Sequence, residues 1–197
     1  MPTTAPQFTG HTALSSLETD GCTADEALTF FDTLPPVAAE EVTGSWRGAE
    51  IATGSPMDGL PDLAGWHGVR IHSADSAHPL IMTGTHGRYS LNPALLPLRT
   101  PDGLVPLLRR QLTRSLTLRL LPMLATEQST AVVRHIEYRG MVSAAVVYDA
   151  LPVTEYLRAV DRNTLVGALD AAELPTPWFF TLHRQGAHGR DLPPVSS

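Results

Sequence analysis

The sequence predicts a mainly β protein: a small closed antiparallel barrel of about eight strands, with an N-terminal helix and a Leu-rich helix at about 104–124. Three observations carry this. Short apolar runs separated by Gly, Pro and Asp recur from 44 to 92 and again from 131 to 184. The 197 residues are 43% hydrophobic and 17% charged, as in one soluble domain with a sizeable core. Helical spacing is found in two stretches, 24–34 and 104–124, with one or two further turns at 153–160.

The elements follow in order. Residues 1–22 read as a loose N-terminus. Thr23-Ala-Asp-Glu26 is a capping box, and 24–34 is expected as a helix with Ala27, Leu28, Phe31 and Leu34 on one face, stopped by Pro35 and Pro36. Trp46–Ile51, Trp66–His72, Leu80–Thr83 and Arg88–Leu91 are expected strands. The run 104–124 has nine Leu, broken by Arg109, Arg110, Arg114 and Arg119. Its Leu spacing of four drifts around a helix, so more than one side is expected to be buried, in a homodimer or beneath loops of the same chain. Ala131–Tyr138 and Met141–Tyr148 flank Arg139-Gly140, a two-residue hairpin turn. Val153–Val160 reads as one or two helical turns, and Thr164–Leu169 and Trp178–His183 as the last strands. The barrel thus occupies 23–184, in halves 23–100 and 101–184, and 185–197 is a tail.

Composition excludes several classes. All fourteen basic residues are Arg, so no Schiff-base lysine exists. A Lys-free chain rich in Arg, Ala, Leu and Pro points to a GC-rich bacterial genome. The net charge is −6, with seven net negative charges in residues 1–100 and one net positive charge in 101–197. No clustered basic face suited to nucleic acid emerges. Cys22 is the lone cysteine, which fits a reducing cytoplasm. No run of eighteen apolar residues suggests a membrane span. The eight His lack metal-ligand spacing, and no phosphate loop, dinucleotide fingerprint or nucleophile elbow occurs, so neither metal nor cofactor is expected.

Candidate site residues come from the barrel geometry. A two-residue turn at Arg139-Gly140 sets Arg134 opposite Ala145, Ile136 opposite Ser143 and Tyr138 opposite Met141. The face holding Val133, His135, Glu137 and Arg139 is the more polar and is expected to meet water, which turns Arg134 and Tyr138 inward. A buried Arg needs a partner, and two fit: an internal carboxylate such as Asp149, or a ligand carboxylate. Asp149 reads either as an acid/base at a barrel mouth or as an ordinary turn residue. His183 is the best-placed imidazole for acid/base work, against the plainer reading of an exposed or core histidine. Ser143, Tyr148, Trp66 and Phe180 complete the expected cavity lining.

Gly44-Ser-Trp46-Arg-Gly48, followed by AEIATGSPMDGLPDLAGWHGVRI and HPLIM…YSLNPALLPL, resembles the bacterial GXWXG-domain proteins. Glu137-Tyr-Arg-Gly140, Val147-Tyr-Asp-Ala-Leu-Pro152, Tyr156-Leu-Arg-Ala-Val-Asp161, Gly167 and Phe179-Phe-Thr-Leu-His-Arg184 resemble the domain of unknown function that follows GXWXG. The likeness covers about 26–184. It departs at Glu155, where Asp is expected, at His183, where an acid is expected, and in loop 54–64, which is short of Leu. The architecture also looks like the lipocalin and fatty-acid-binding (calycin) group. That likeness implies structural roles for Trp46 and Arg184, the guanidinium covering the indole. The expected function is binding of a small hydrophobic molecule, carboxylate-bearing if Arg134 greets it. The alternative is a cofactor-independent cyclase, isomerase or dehydratase of a specialised biosynthetic pathway, with Asp149 or His183 as acid/base and Arg134 steadying negative charge.

Overall fold

A computed structural model of the chain describes residues 5–95, 119–172 and 174–186. Among the described residues nine strands are formed: β1 (Gly44–Ile51), β2 (Trp66–Ser73), β3 (Ser76–Gly84), β4 (Gly87–Ser90), β5 (Ala131–Tyr138), β6 (Met141–Tyr148), β7 (Val153–Asp161), β8 (Thr164–Ala171) and β9 (Trp178–Arg184). They join in the order β2-β1-β9-β8-β7-β6-β5-β3-β4, and β2 also pairs with β3. Eight strands therefore close into an antiparallel ring, with β4 added to the side of β3. The weakest seam is β3–β5, where Ala77 and Ala131 form the sole direct strand pair. Ser129 reinforces it: its hydroxyl accepts the Ala77 N–H and donates to the Ala77 carbonyl.

The β5–β6 hairpin follows from its turn. Arg139 and Gly140 both take positive φ, 54° and 76°, which suits the twist of a two-residue hairpin loop. The register then runs unbroken from Tyr138↔Met141 to Ala131↔Tyr148.

Two apolar cores lie on opposite faces of the ring. The inner core holds Trp46, Val69, Ile71, Val133, Val146, Leu157, Leu165, Trp178, Phe180 and Leu182. The outer core lies under two helices, α1 (Ala5–Asp20) and α2 (Ala24–Thr33), where Leu14, Phe31 and Leu34 meet Ile51, Val160, Val166 and Phe179. Thr23 and Glu26 form the capping box that starts α2. A third helix, α3 (Leu60–Ala64), is a single turn before β2.

The chain leaving α2 threads between β6 and β7. The Ser143 hydroxyl accepts the Val37 N–H at 2.9 Å and donates to the Leu157 carbonyl at 2.6 Å, while Ala144 N–H donates to Val37 O. Val37, Ala39 and Val42 thereby enter the inner core and plug one end of the ring. Trp46 lies there, donating its indole N–H to Val42 O at 2.7 Å.

Three expectations are corrected. Val153–Asp161 is strand β7, not a helical stretch. Both of its faces are covered, so Tyr156 and Val160 outside are as apolar as Leu157 and Ala159 inside, and the sequence shows no period of two. Residues Ala5–Asp20 form α1 rather than a loose end, with Leu14 buried and His11 Nε2 2.6 Å from the Asp161 carboxylate. Arg134 lies on the outer face, as described below. The Leu-rich run falls outside the described residues up to 118, including Arg109, Arg110 and Arg114. Its end is described: Arg119 and Leu120 are helical and lead into a 3-10 turn at Leu121–Leu124.

Two inward glycines are occupied by aromatic rings. A Cβ on Gly48 would lie 2.2 Å from the Trp66 ring, and one on Gly167 would lie 2.2 Å from the Phe180 ring. Phe180 is fully buried, whereas Trp66 is half-buried, so less of its ring is confined. Gly167→Ala is therefore expected to cost about 1–3 kcal/mol and Gly48→Ala less. Urea midpoints at unchanged m values measure this, and equal midpoints for both variants and the wild type would contradict it.

Candidate functional site

Away from the plugged end, the inner face carries rings and carboxyls. Trp66 on β2 and Trp178 and Phe180 on β9 form an aromatic triad. Their centroids are 5.7 Å (Trp66–Trp178), 5.6 Å (Trp66–Phe180) and 5.2 Å (Trp178–Phe180) apart. Trp66 is fixed by its indole N–H, which donates to Pro79 O. Leu169 stands opposite both Trp178 and Glu155 in the strand register, so the triad and Glu155 are two strands apart, about 10 Å between backbones.

Glu155 is the buried acid of this face, 2% exposed. The Tyr148 hydroxyl donates to its Oε1 at 2.6 Å. Its Oε2 is buried and has no hydrogen-bond partner among the described residues. Burial pushes the Glu155 carboxyl up to about 7, against the downward pull of the Tyr148 hydrogen bond. The Tyr148 phenol is pushed well above its ordinary value by burial and by the neighbouring carboxylate, so it stays a donor. Glu50, half-buried on β1, is also raised, chiefly by burial. Both Glu50 oxygens receive the Gly59 N–H, at 3.0 and 2.9 Å. The Trp178 indole N–H is close enough to favour the Glu50 anion, although it makes no hydrogen bond of ordinary geometry.

At the plugged end, the Arg184 guanidinium carbon lies 4.1 Å above the Trp46 ring. Its N–H groups donate to the carbonyls of Glu41, Thr43 and Arg162. Gly44 belongs to this cluster: it takes φ 131°, and a Cβ there would lie 3.1 Å from Arg184 Nη1.

Of the residues singled out from sequence, Tyr148, Trp66 and Phe180 share the inner face. The others do not join them. Arg134 is exposed on the outside, 3.0 Å from the Asp75 carboxylate and donating to Ala74 O. The hairpin register held but the faces were inverted. Ala131 and Val133 point into the inner core, while Tyr138 outside stacks on Tyr156 at 3.8 Å and meets Phe31 edge-on. Polar Glu137 and Arg139 mark the end of the strand, not its wet face. Ser143 is buried, but its hydroxyl is committed to Val37 and Leu157. Asp149 is exposed, next to the end of β6. His183 is on the outer face of β9, with Nε2 3.5 Å from Glu18. Among the described residues no group of three His, Cys, Asp or Glu side chains is arranged to hold a metal ion. No described helix is long and apolar enough to cross a membrane.

Sequence reasoning missed Glu155, Glu50 and Trp178 as site residues. The signal for Glu155 was an acid at the alternate position to Leu157 and Ala159, but it is legible only once Val153–Asp161 is known to be a strand.

The two motif regions have separate matches. The GXWXG protein family matches residues 29–87, and the domain of unknown function DUF4334 matches residues 129–184. The chain thus carries a GXWXG region followed by a DUF4334 region. The first match spans the second half of α2 and then β1–β3, and the second spans β5–β9. They build one ring, because β1 pairs with β9 and β3 with β5. The site is shared in the same way: Glu50 and Trp66 come from the GXWXG region, and Tyr148, Glu155, Trp178 and Phe180 from DUF4334. A crystal structure of a protein from Thermomonospora curvata is similar, with a TM-score of 0.65 and 25% identity over 90% of this chain and 99% of that chain. No curated protein matches the chain.

Proposed function

We propose that the ring interior binds one small, predominantly apolar molecule against Trp66, Trp178 and Phe180, with a hydrogen-bond donor of that molecule on Glu155 Oε2. The observation that carries this reading is the buried Oε2 without a partner among the described residues. Leaving such an atom unmet costs about 1–3 kcal/mol, more for a charged group, and Leu or Val there would avoid the cost. The aromatic triad two strands away on the same face supplies apolar contact area, the usual character of a small-molecule site. The use of the fold is then lipocalin-like. The lone Cys22, unpaired, suits a reducing compartment such as the cytoplasm.

Glu155 at about 7 favours a second reading, a cofactor-independent isomerisation, cyclisation or dehydration. Glu155 then moves the proton in place of Asp149 or His183. Native mass spectrometry of protein purified from its own host separates the two readings. A retained molecule that stays unchanged on incubation supports binding, and its conversion supports catalysis.

Binding itself is tested with N-phenyl-1-naphthylamine, followed by energy transfer from tryptophan. One saturable site is expected in the wild type and in Arg134→Ala. Leu169→Trp, which enlarges the side chain between Glu155 and Trp178, is expected to weaken binding at least about tenfold, or about 1.4 kcal/mol. Lack of saturable binding by folded wild-type protein would overturn the reading.

A further inference from the structure

We propose that the molecule bound inside the ring carries a protonated amine, received by Glu155 Oε2 and the face of the Trp66–Trp178–Phe180 triad. The inference rests on the interior-binding reading above and names the ligand's polar group.

Among the described residues the charges on this part of the inner face are carboxyls, and neither is in an ion pair. Glu155 has a phenol as its partner. Glu50 has a backbone N–H and lies near an indole N–H. The ion pairs and histidine–carboxylate contacts among the described residues lie elsewhere: Arg134–Asp75, Arg139–Asp32, His11–Asp161 and His183–Glu18. Arg184 is engaged by three carbonyls at the plugged end. A neutral donor would satisfy the Oε2 lone pair but leave the buried charge uncompensated. An ammonium group does both, and its hydrogen bond is about twice as strong as a neutral one. Aromatic faces add attraction for the cation and for the alkyl or aryl body that carries it. A carboxylate ligand meets the opposite situation, because it would share the ring with two acids and, among the described residues, no cation paired to either. The carboxylate expected from an inward Arg134 is therefore replaced by an amine.

Three matched probes test this by isothermal titration at pH 8, where Glu155 is ionised: naphthalen-2-ylmethylamine, naphthalen-2-ylmethanol and 2-naphthoic acid. In the wild type the amine is expected to bind at least about tenfold more tightly than the alcohol, and the acid more weakly than both. Glu155→Gln should bring amine and alcohol within about threefold of each other, with the amine losing more affinity than the alcohol. Glu50→Gln should reduce the preference less. Equal wild-type affinity for amine and alcohol overturns the amine inference and leaves interior binding standing. A preference that survives Glu155→Gln overturns the assignment to Glu155. Binding of neither amine nor alcohol overturns this inference and the interior-binding reading together. The wild-type comparison decides the ligand class even if a variant does not fold.

Discussion

Replacing Glu155 with Gln is expected to change how stability depends on pH by about 3 kcal/mol. Glu155 is raised from 4.5 to about 7 in the folded protein by burial. Between those values the folded state holds a proton that the unfolded chain has released, so wild-type stability falls as pH rises through this window. Below about 4.5 the penalty is absent, and above about 7 it is complete. Glutamine cannot ionise, so Glu155→Gln removes this slope. The amide has its own cost, because its NH2 group replaces the unpartnered Oε2, but that cost does not vary with pH. The measurable quantity is therefore the stability of the variant minus that of the wild type, from urea unfolding. It should rise by about 3 kcal/mol between pH 4.5 and pH 8. Tyr148→Phe sharpens the test. It removes the hydrogen bond that holds Glu155 down, so the wild-type slope should extend to higher pH. Parallel stability curves for the wild type and Glu155→Gln would show that Glu155 does not titrate as a buried acid.

The same burial explains what the sequence could and could not disclose. The β5–β6 hairpin was legible because Arg139-Gly140 fixes its register locally, through the turn. The helix at 24–33 was legible because its capping box is read within four residues. The faces of β5 were not, because a ring coated by helices hides both sides of a strand. Tyr138, outside, is covered by Phe31 and Tyr156, and Val133, inside, by the inner core. Apolar alternation then marks which residues are buried but not on which face. Strand β7 disappeared for the same reason, and with it Glu155. Tyr148, Trp66 and Phe180 were recoverable as inner-face residues because large aromatic residues on alternating strands need a core wherever it lies. Asp149 and His183 were chosen for their chemistry, and chemistry in a sequence carries no information about inward or outward position. Those residues sit on exposed surface, while the acid inside was passed over as a departure from a motif.

Arg158 presents the opposite charge in the outer core, and its replacement by Met is expected to stabilise the protein. The side chain is 2% exposed. One guanidinium nitrogen, Nη2, donates to Tyr138 O at 3.0 Å, and the carbon lies 5.3 Å from the centre of the Phe31 ring. The other, Nη1, is buried without a hydrogen-bond partner among the described residues. The nearest charge acting on it is Asp32, whose carboxylate is already held by Arg139 through two hydrogen bonds. Burial outweighs that attraction and pulls the Arg158 guanidinium below its ordinary value. A cation–π contact and one hydrogen bond offset only part of the several kcal/mol that desolvating a guanidinium costs. Methionine keeps most of the volume, fits irregular space and carries no charge, so Arg158→Met should gain about 1–3 kcal/mol. At about 2–4 °C per kcal/mol for a chain of this size, Tm should rise by about 2–12 °C. Arg158→Ala removes the same charge but opens space between Phe31 and Tyr138, and the cavity cost should cancel or reverse the gain. The order Met above wild type, with Ala at or below it, is the expected result in thermal melts. If both variants lose several kcal/mol, Arg158 holds α2 to β7 through its charge, and an anion that meets Nη1 would have to be sought.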